Sequence, residues 1–516
     1  MTIIEHAPVQ FTAASVLDIV PVMYLSILSV ISLYGFHKVL MIWRYYNHQQ
    51  SPLTIPSAIA PLIPVNSSVN SQPPFLDPAG LPTVTIQLPI FNELYVAERL
   101  LEAVARIKYP SEKLEIQVLD DSTDETQQLC QRKVNELKQQ NLNIVYIQRS
   151  HRKGFKAGAL AYGLQQAKGE LIMIFDADFV PPPETLLSMV GYFTDPAMGM
   201  VQARWGHINR KYSLLTEIQA LMLDGHFVIE QTARNRAGCF FNFNGTAGIW
   251  RAQAIADAGG WQHTTVTEDL DLSYRVQLQG WRCVYLPHIV VPAELPMEMN
   301  SFKSQQFRWA KGASQVSRKL LGAVLKAKIP IHVKLEAFLH LTNNFNYLLL
   351  MVLLLLSLPY QIYVSQHQWQ YGLLIYLPIF IVTTLNLLGF YWVSQKAQYK
   401  TVSPWRFGYH IFFLLSIGIG MSINQSLAVC DGLLRTGTEF VRTPKHGVIQ
   451  SSESWITKKY RGAKTWVLCL ELLMILYLAI TIAFATYHTH YLSLPFLLMF
   501  FVGYLYVLRL GLFQQR

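Results

Sequence analysis

LIMIFDADF, residues 171–179, opens with five residues suited to a strand buried on both faces and ends in two carboxylates, Asp176 and Asp178. A continuous apolar run of this kind belongs inside a parallel sheet covered on both sides. The stretches upstream repeat the pattern. VTIQLPI (84–90) is an apolar strand that ends at FNE, and a helical periodicity covers 95–107. LEIQVLDDS (114–122) is the next strand, 124–140 reads as helix, NIVYIQR (143–149) as strand, and AGALAYGLQQA (157–167) as helix. Such alternation predicts an α/β domain with a mostly parallel sheet. Ligands of these sheets bind beyond the carboxyl ends of the strands. Asn92 and Glu93, Asp120 and Asp121, and Asp176 and Asp178 all fall at such ends, so three acidic tips share one edge.

The rest of the chain is of another kind. Of 516 residues, 51% are hydrophobic and only 14% charged, which predicts a membrane protein with a substantial soluble part. One apolar run covers 17–43, and further candidate spans cover 345–364, 371–394, 466–487 and 490–510. The run 408–430 carries Ser416, Ser422, Asn424, Gln425 and Ser426, and reads as an interfacial or re-entrant helix. If it crossed, the very basic 435–464 segment would lie outside, against the positive-inside rule. Lys38 and Arg44 lie at the far end of the first helix, whereas the first ten residues hold no Lys or Arg, so the soluble domain is expected in the cytosol. The N-terminus lacks a basic leader and a small-residue cleavage pattern, so the first run reads as an anchor. The expected organisation is an N-terminal transmembrane helix (1–50), a Pro/Ser/Asn-rich linker (51–82), a catalytic domain (83–320), interface and transmembrane helices (321–435), a cytosolic loop (436–464) and C-terminal transmembrane helices (465–516).

The net charge of +10 follows from 42 basic and 32 acidic residues, concentrated near the apolar runs. No basic run with interleaved aromatics indicates a nucleic-acid surface. Five scattered cysteines without CxxC spacing exclude a zinc site or a disulfide framework and suit a reducing compartment. A transporter would place polar groups in its spans, but those after residue 345 hold few, mainly Asn386 and Glu471.

Each acidic motif has a structural reading as well as a chemical one. Asp176 and Asp178 point the same way on an extended strand end and repel unless a cation intervenes. Hard carboxylate oxygens suit Mg²⁺ or Mn²⁺, with phosphate oxygens completing the shell. A solvated turn is the alternative. In DDSTDE (120–125), Asp121 or Ser122 suits a helix N-cap. TEDLDL (267–272) suits an acidic first turn, and QQFRWAKG (305–312) an amphipathic helix at a membrane surface.

The order DDS, DAD, TED and QxxRW (Gln305, Arg308, Trp309), flanked by apolar helices, resembles the family 2 membrane glycosyltransferases, the cellulose, chitin, hyaluronan and mannan synthases. VLDDSTD, RKGFKAGAL, FDADFVP, VQARW, FNGTAGIWR and EDLDL followed by GW look closest to the plant cellulose-synthase-like A and C proteins, over about 84–320. FVRTPKHG (440–447) resembles the gating loop of bacterial cellulose synthase, from which it departs at Arg442 and Pro444.

The resemblance implies a GT-A fold and transfer of a hexose, with inversion, from GDP-mannose or UDP-glucose to a growing β-linked polysaccharide that the enzyme also translocates. The alternative is a single transfer that makes a glycolipid. In either case Asp269 is the expected general base. Asp120 and Asp121 complete the catalytic set by holding base and ribose, with Glu93 nearby. Asp176 and Asp178 would hold Mg²⁺ or Mn²⁺, and Lys156 and Arg308 would meet the phosphates. Asn244, Gly245, Thr246, Glu268, Gln305 and Trp309 would form the acceptor side, and Phe440, Thr443 and Lys445 a mobile flap. The implied partners are a nucleotide sugar, a glycan acceptor and the lipid bilayer of the plasma or inner membrane or the Golgi.

Overall fold

The computed structural model describes residues 18–48, 80–367, 372–435, 442–450, part of 453–462 and 466–514. Phe440 and nearly all of the expected linker lie outside them.

Seven strands form one sheet: β1 (Val84–Ile90), β2 (Leu114–Asp120), β3 (Ile144–Ile147), β4 (Leu171–Ile174), β5 (Met198–His207), β6 (Gly248–Arg251) and β7 (Arg282–Ala293). Their order is β3-β2-β1-β4-β6-β5-β7, with β6 antiparallel to both neighbours and the other pairings parallel. β1, β2 and β4 are buried along nearly their whole length, as their apolar composition requires. Their few polar side chains pair across the strands: Gln87 donates to Gln117 (3.0 Å) and Thr85 to Glu115 (2.8 Å). One apolar layer packs Ile86, Leu88 and Val118 against Leu100 and Val134; the other packs Ile172 and Ile174 against Leu160, Trp250 and Leu272.

Register gathers the acidic tips. β1 and β2 run level from Val84–Leu114 to Ile90–Asp120, which brings residues 91–93 beside Asp121. β4 stops at Ile174, opposite Gln87, so Asp176 and Asp178 stand on a turn past the strand. That turn is tied to the end of β7 by the Val180 amide, which donates to the Pro292 carbonyl (2.9 Å).

Among the described residues, five helical segments are long and apolar enough to cross a membrane: Val20–His48, Ile331–Leu355, Leu377–Gln398, Val467–Tyr487 and Tyr491–Phe513. The second begins well before the expected residue 345. Lys334, Glu336 and His340 break the apolar run there, but Glu336 is buried between Arg44, His37 and Arg234, so its charge is met inside the protein. The 408–430 run becomes two helices, Pro404–Gly420 and Ser422–Leu434, bent by 47°. Three of its polar side chains are bonded inside the protein: Ser422 pairs with Tyr504 (2.6 Å), Asn424 donates to the Lys303 carbonyl (3.1 Å) and Ser426 to that of Tyr347 (2.9 Å). The Met299–Lys326 helix joins the two halves of the molecule, with Lys303 paired to Glu471 (2.6 Å).

Candidate active site

A cleft lies at the carboxyl edge of the sheet, roofed by the 442–450 segment and by the Met299–Lys326 helix. The cleft is open to solvent on one side, and charged side chains face one another across it.

On the β1–β2 side, Asp121 lines the cleft and is held by Arg149, whose Nε donates to Oδ1 at 3.0 Å. Asp120 is fully buried behind that wall. It accepts from the Ser122 amide (2.8 Å) and the Tyr146 hydroxyl (2.9 Å), so it shapes the turn. Arg152 lies over the Phe91 ring, 3.3 Å from its centroid, and both line the cleft. Glu93 accepts from Arg442 Nε (3.0 Å), and Arg442 also donates to the Asn92 carbonyl. Burial pushes the Glu93 carboxyl upward, with Arg442 opposing.

The DAD turn occupies the centre. Asp176 meets Lys156 (2.5 Å), which also donates to the Gly245 carbonyl (2.9 Å). Thr246 is buried and accepts from the Asp176 amide (2.8 Å), so it positions that carboxylate instead of lining the cleft. Asp178 meets Lys445 (2.7 Å) and accepts from the Glu294 amide (3.2 Å). Each of these carboxylates thus already faces one cation, a lysine ammonium. Two hard-oxygen donors on one wall fit a divalent ion that shares its shell with phosphate oxygens. Among the described residues no group of three or more His, Cys, Asp or Glu forms a closed metal cage.

Opposite, Glu268 and Asp269 open the Glu268–Leu278 helix and face the cleft. The Asp269 carboxyl is pushed up to about 7 by burial and by the neighbouring Glu268 charge, with Lys156 opposing. Asp269 needs close company with the 244–246 turn, and Gly245 permits it. Gly245 has φ +83°, and a Cβ there would sit 2.9 Å from Asp269 Oδ2. Asn244, Gln305, Arg308 and Trp309 complete this side. Arg308 donates to Thr443 Oγ1 (2.9 Å), and burial lowers its guanidinium to about 10 despite Glu268 and Asp176. Trp309 stands 6.5 Å from Trp205, centroid to centroid.

Thr443 and Lys445 are buried here: Lys445 is inserted between the DAD turn and the end of β7, donating to Asp178 and the Glu294 carbonyl, while Thr443 meets Arg308. Glu294 braces the insertion, accepting from the His446 (2.8 Å) and Gly447 (2.9 Å) amides. Sequence reasoning passed over Glu294, Arg149 and Arg152. Glu294 carries the same signal as the other acids, a lone carboxylate directly after an apolar strand, and could have been found by it. The two arginines gave no such signal, because a basic residue after a strand is ordinarily solvated.

A mostly parallel sheet whose acidic tips, lysines and arginines converge on one cleft defines a glycosyltransferase of the GT-A fold. Residues 82–312 match the family described as glycosyltransferase like family 2. The chain is 35% identical over 386 residues to glucomannan 4-beta-mannosyltransferase 1 of Oryza sativa subsp. japonica, a match that covers 72% of this chain and 71% of that protein. It is 34% identical over 389 residues to glucomannan 4-beta-mannosyltransferase 2 of Arabidopsis thaliana, covering 73% and 70%. In three dimensions it resembles the mannosyltransferase PcManGT of Pyrobaculum calidifontis, solved in complex with GDP-Man and Mn²⁺. That likeness has a TM-score of 0.50 at 21% identity, over 73% of this chain and 98% of that one. The chain belongs to glycosyltransferase family 2, beside the cellulose-synthase-like A proteins, and is a hexosyltransferase.

Proposed function

We propose that this enzyme transfers mannose from GDP-mannose, with inversion, to a β-linked mannan or glucomannan chain, from a catalytic domain on the cytosolic side of a membrane. The observation that carries the reading is the Asp269 carboxyl, raised to about 7 and facing the same cleft as Asp176, Asp178, Arg308 and Trp309. The mannosyl preference rests on the plant relatives named for mannosyl transfer and on the Pyrobaculum calidifontis mannosyltransferase holding GDP-Man.

The acceptor hydroxyl loses its proton to Asp269 as its oxygen attacks the anomeric carbon from the face opposite the diphosphate. Trp309 offers a face for the acceptor ring, beside Gln305 and Asn244. Arg308 and Lys156 balance charge on the departing diphosphate. Mg²⁺ or Mn²⁺, held by Asp176 and Asp178, supplies Lewis-acid neutralisation of the same charge when bound. Asp121 and Glu93 hold the nucleoside end. Thr443 and Lys445 form a flap over the donor, and the apolar helices pass the growing chain outward.

Membranes containing the protein, incubated with labelled GDP-mannose or UDP-glucose with and without EDTA, test this. The expected product is a polymer labelled from GDP-mannose, cut by a β-mannanase and lost under chelation. Label from UDP-glucose alone would overturn the donor assignment. A chloroform-soluble monoglycosyl lipid as sole product would overturn the polymer, and undiminished incorporation in EDTA the metal.

A further inference from the structure

The Leu214–Asp224 helix continues into a π-helical turn, Gly225–Glu230, before regular helix resumes at Gln231–Arg236. Such turns are rare and recur where a side chain must be placed for function. This one sets His226 between two partners. Its Nδ1 lies 3.2 Å from Glu230 Oε2, and its Nε2 lies 3.2 Å from Asn244 Nδ2.

Donor and acceptor roles follow from a backbone carbonyl. Gln231 Nε2 donates to the Asn242 carbonyl (2.8 Å), which fixes the orientation of the Gln231 amide. The same Nε2 donates to Asn244 Oδ1 (2.8 Å), so Asn244 must turn its NH₂ toward His226. An NH₂ group only donates, hence Nε2 of His226 accepts and the ring proton sits on Nδ1, directed at Glu230. Both ends of the Asn244 carboxamide are thereby engaged. One hydrogen and one lone pair remain for the cleft that Asn244 lines.

We propose that His226, as the neutral Nδ1–H tautomer, is a positioning residue for the acceptor: it locks the Asn244 carboxamide in the one orientation that receives the sugar. The inference rests on the reading of Asn244 as part of the acceptor side. The titratable and charged groups facing His226 are Glu230 and Arg234 from its own segment, Lys38 from the Val20–His48 helix and His340 from the second apolar helix. Burial holds the imidazole below its ordinary range; Glu230 opposes this, while Arg234 and Lys38 add to it. Protonation would set an N–H against the Asn244 NH₂ and break the lock, while Gln231 forbids the amide from flipping in response.

The test uses the full-length protein, with GDP-mannose (or UDP-glucose if the donor assay selects it) and a soluble β-linked manno-oligosaccharide as acceptor. His226→Ala is expected to raise the acceptor KM about tenfold, the effect of one lost hydrogen bond. Donor KM and acceptor-independent release of nucleoside diphosphate should stay at wild-type values. His226→Gln, which retains an accepting oxygen, restores most of the acceptor KM, and His226→Lys, which only donates, does not. On acidification the wild-type acceptor KM rises, and the rise is absent in His226→Gln. Asn244→Ala separates the two claims. If it leaves the acceptor KM unchanged, the acceptor pocket itself is misassigned. If it raises that KM while His226→Lys and His226→Ala do not, the positioning role is overturned. Equal loss of donor hydrolysis and transfer in His226→Ala would reduce His226 to a packing residue, and overturn the proposal as well.

Discussion

Asp269 owes its basicity to its surroundings. Burial and the adjacent Glu268 both disfavour its charged form, which leaves the carboxyl titrating at about 7. A base must be ionised to accept a proton, so the transfer rate should fall as pH drops through about 7 and level off above it. Glu268→Gln removes a like charge, so Asp269 ionises more readily and the acidic limb should move to lower pH. Because the two carboxyls titrate together, the profile reports the pair. A limb unmoved by Glu268→Gln would argue that another group titrates. Asp269→Asn should cut turnover by about 10²–10⁴ while binding of the labelled nucleotide sugar persists. The TED motif made this residue legible in the sequence. The burial that raises its pKa and its closeness to Gly245 were not, because burial depends on the folded surroundings and the closeness on a turn 24 residues upstream meeting the helix.

At the scale of elements, β1, β2, β3 and β4 were readable because their residues are almost continuously apolar and each ends in a polar tip. Their pairing order, and β6 running against its neighbours, were not readable: GIWR is short and carries no directional signal. The 442–450 segment shows the same limit. Arg442 departs from the cellulose-synthase pattern, yet it makes the hold on β1, through Glu93 and the Asn92 carbonyl. Arg442→Gln should loosen the segment and raise the donor KM roughly tenfold or more, since hydrogen bonds to charged groups contribute about 1.5–3 kcal/mol. Faster amide exchange across 442–450 should accompany it. Gly447 imposes a second constraint. Its φ is +64°, and a Cβ would collide with the Tyr95 carbonyl. Gly447→Ala is expected to undock the segment with the same exchange signature; unchanged exchange in both variants would show that the segment is not held from these points.

At the scale of the whole molecule, one cluster of ionisable side chains fastens the first two apolar helices to each other and to the catalytic domain. Lys38 of the first helix pairs with Glu230 beside the cleft, and Arg44 and His37 of the same helix converge on Glu336. Arg234 bridges both carboxylates, at 3.4 Å to Glu230 and 2.9 Å to Glu336. These charges concealed the start of the second apolar helix from a hydropathy reading, since a carboxylate inside a span appears as an interruption until its partners are seen. The same cluster carries the orientation of the first helix to the turn that bears His226. Removing one member of a buried ion cluster leaves the others uncompensated, which costs about 3–5 kcal/mol, more than a surface pair ever contributes. Glu336→Gln should therefore lower the thermal midpoint of the purified protein strongly, whereas Glu184→Gln, which removes an exposed partner of Lys108, should leave it almost unchanged. Glu336→Gln should also raise the acceptor KM, because Arg234 would turn wholly to Glu230 and draw that carboxylate from His226. A large loss of stability with no change in the acceptor KM would show that the cluster only fastens the helix and transmits nothing to the cleft.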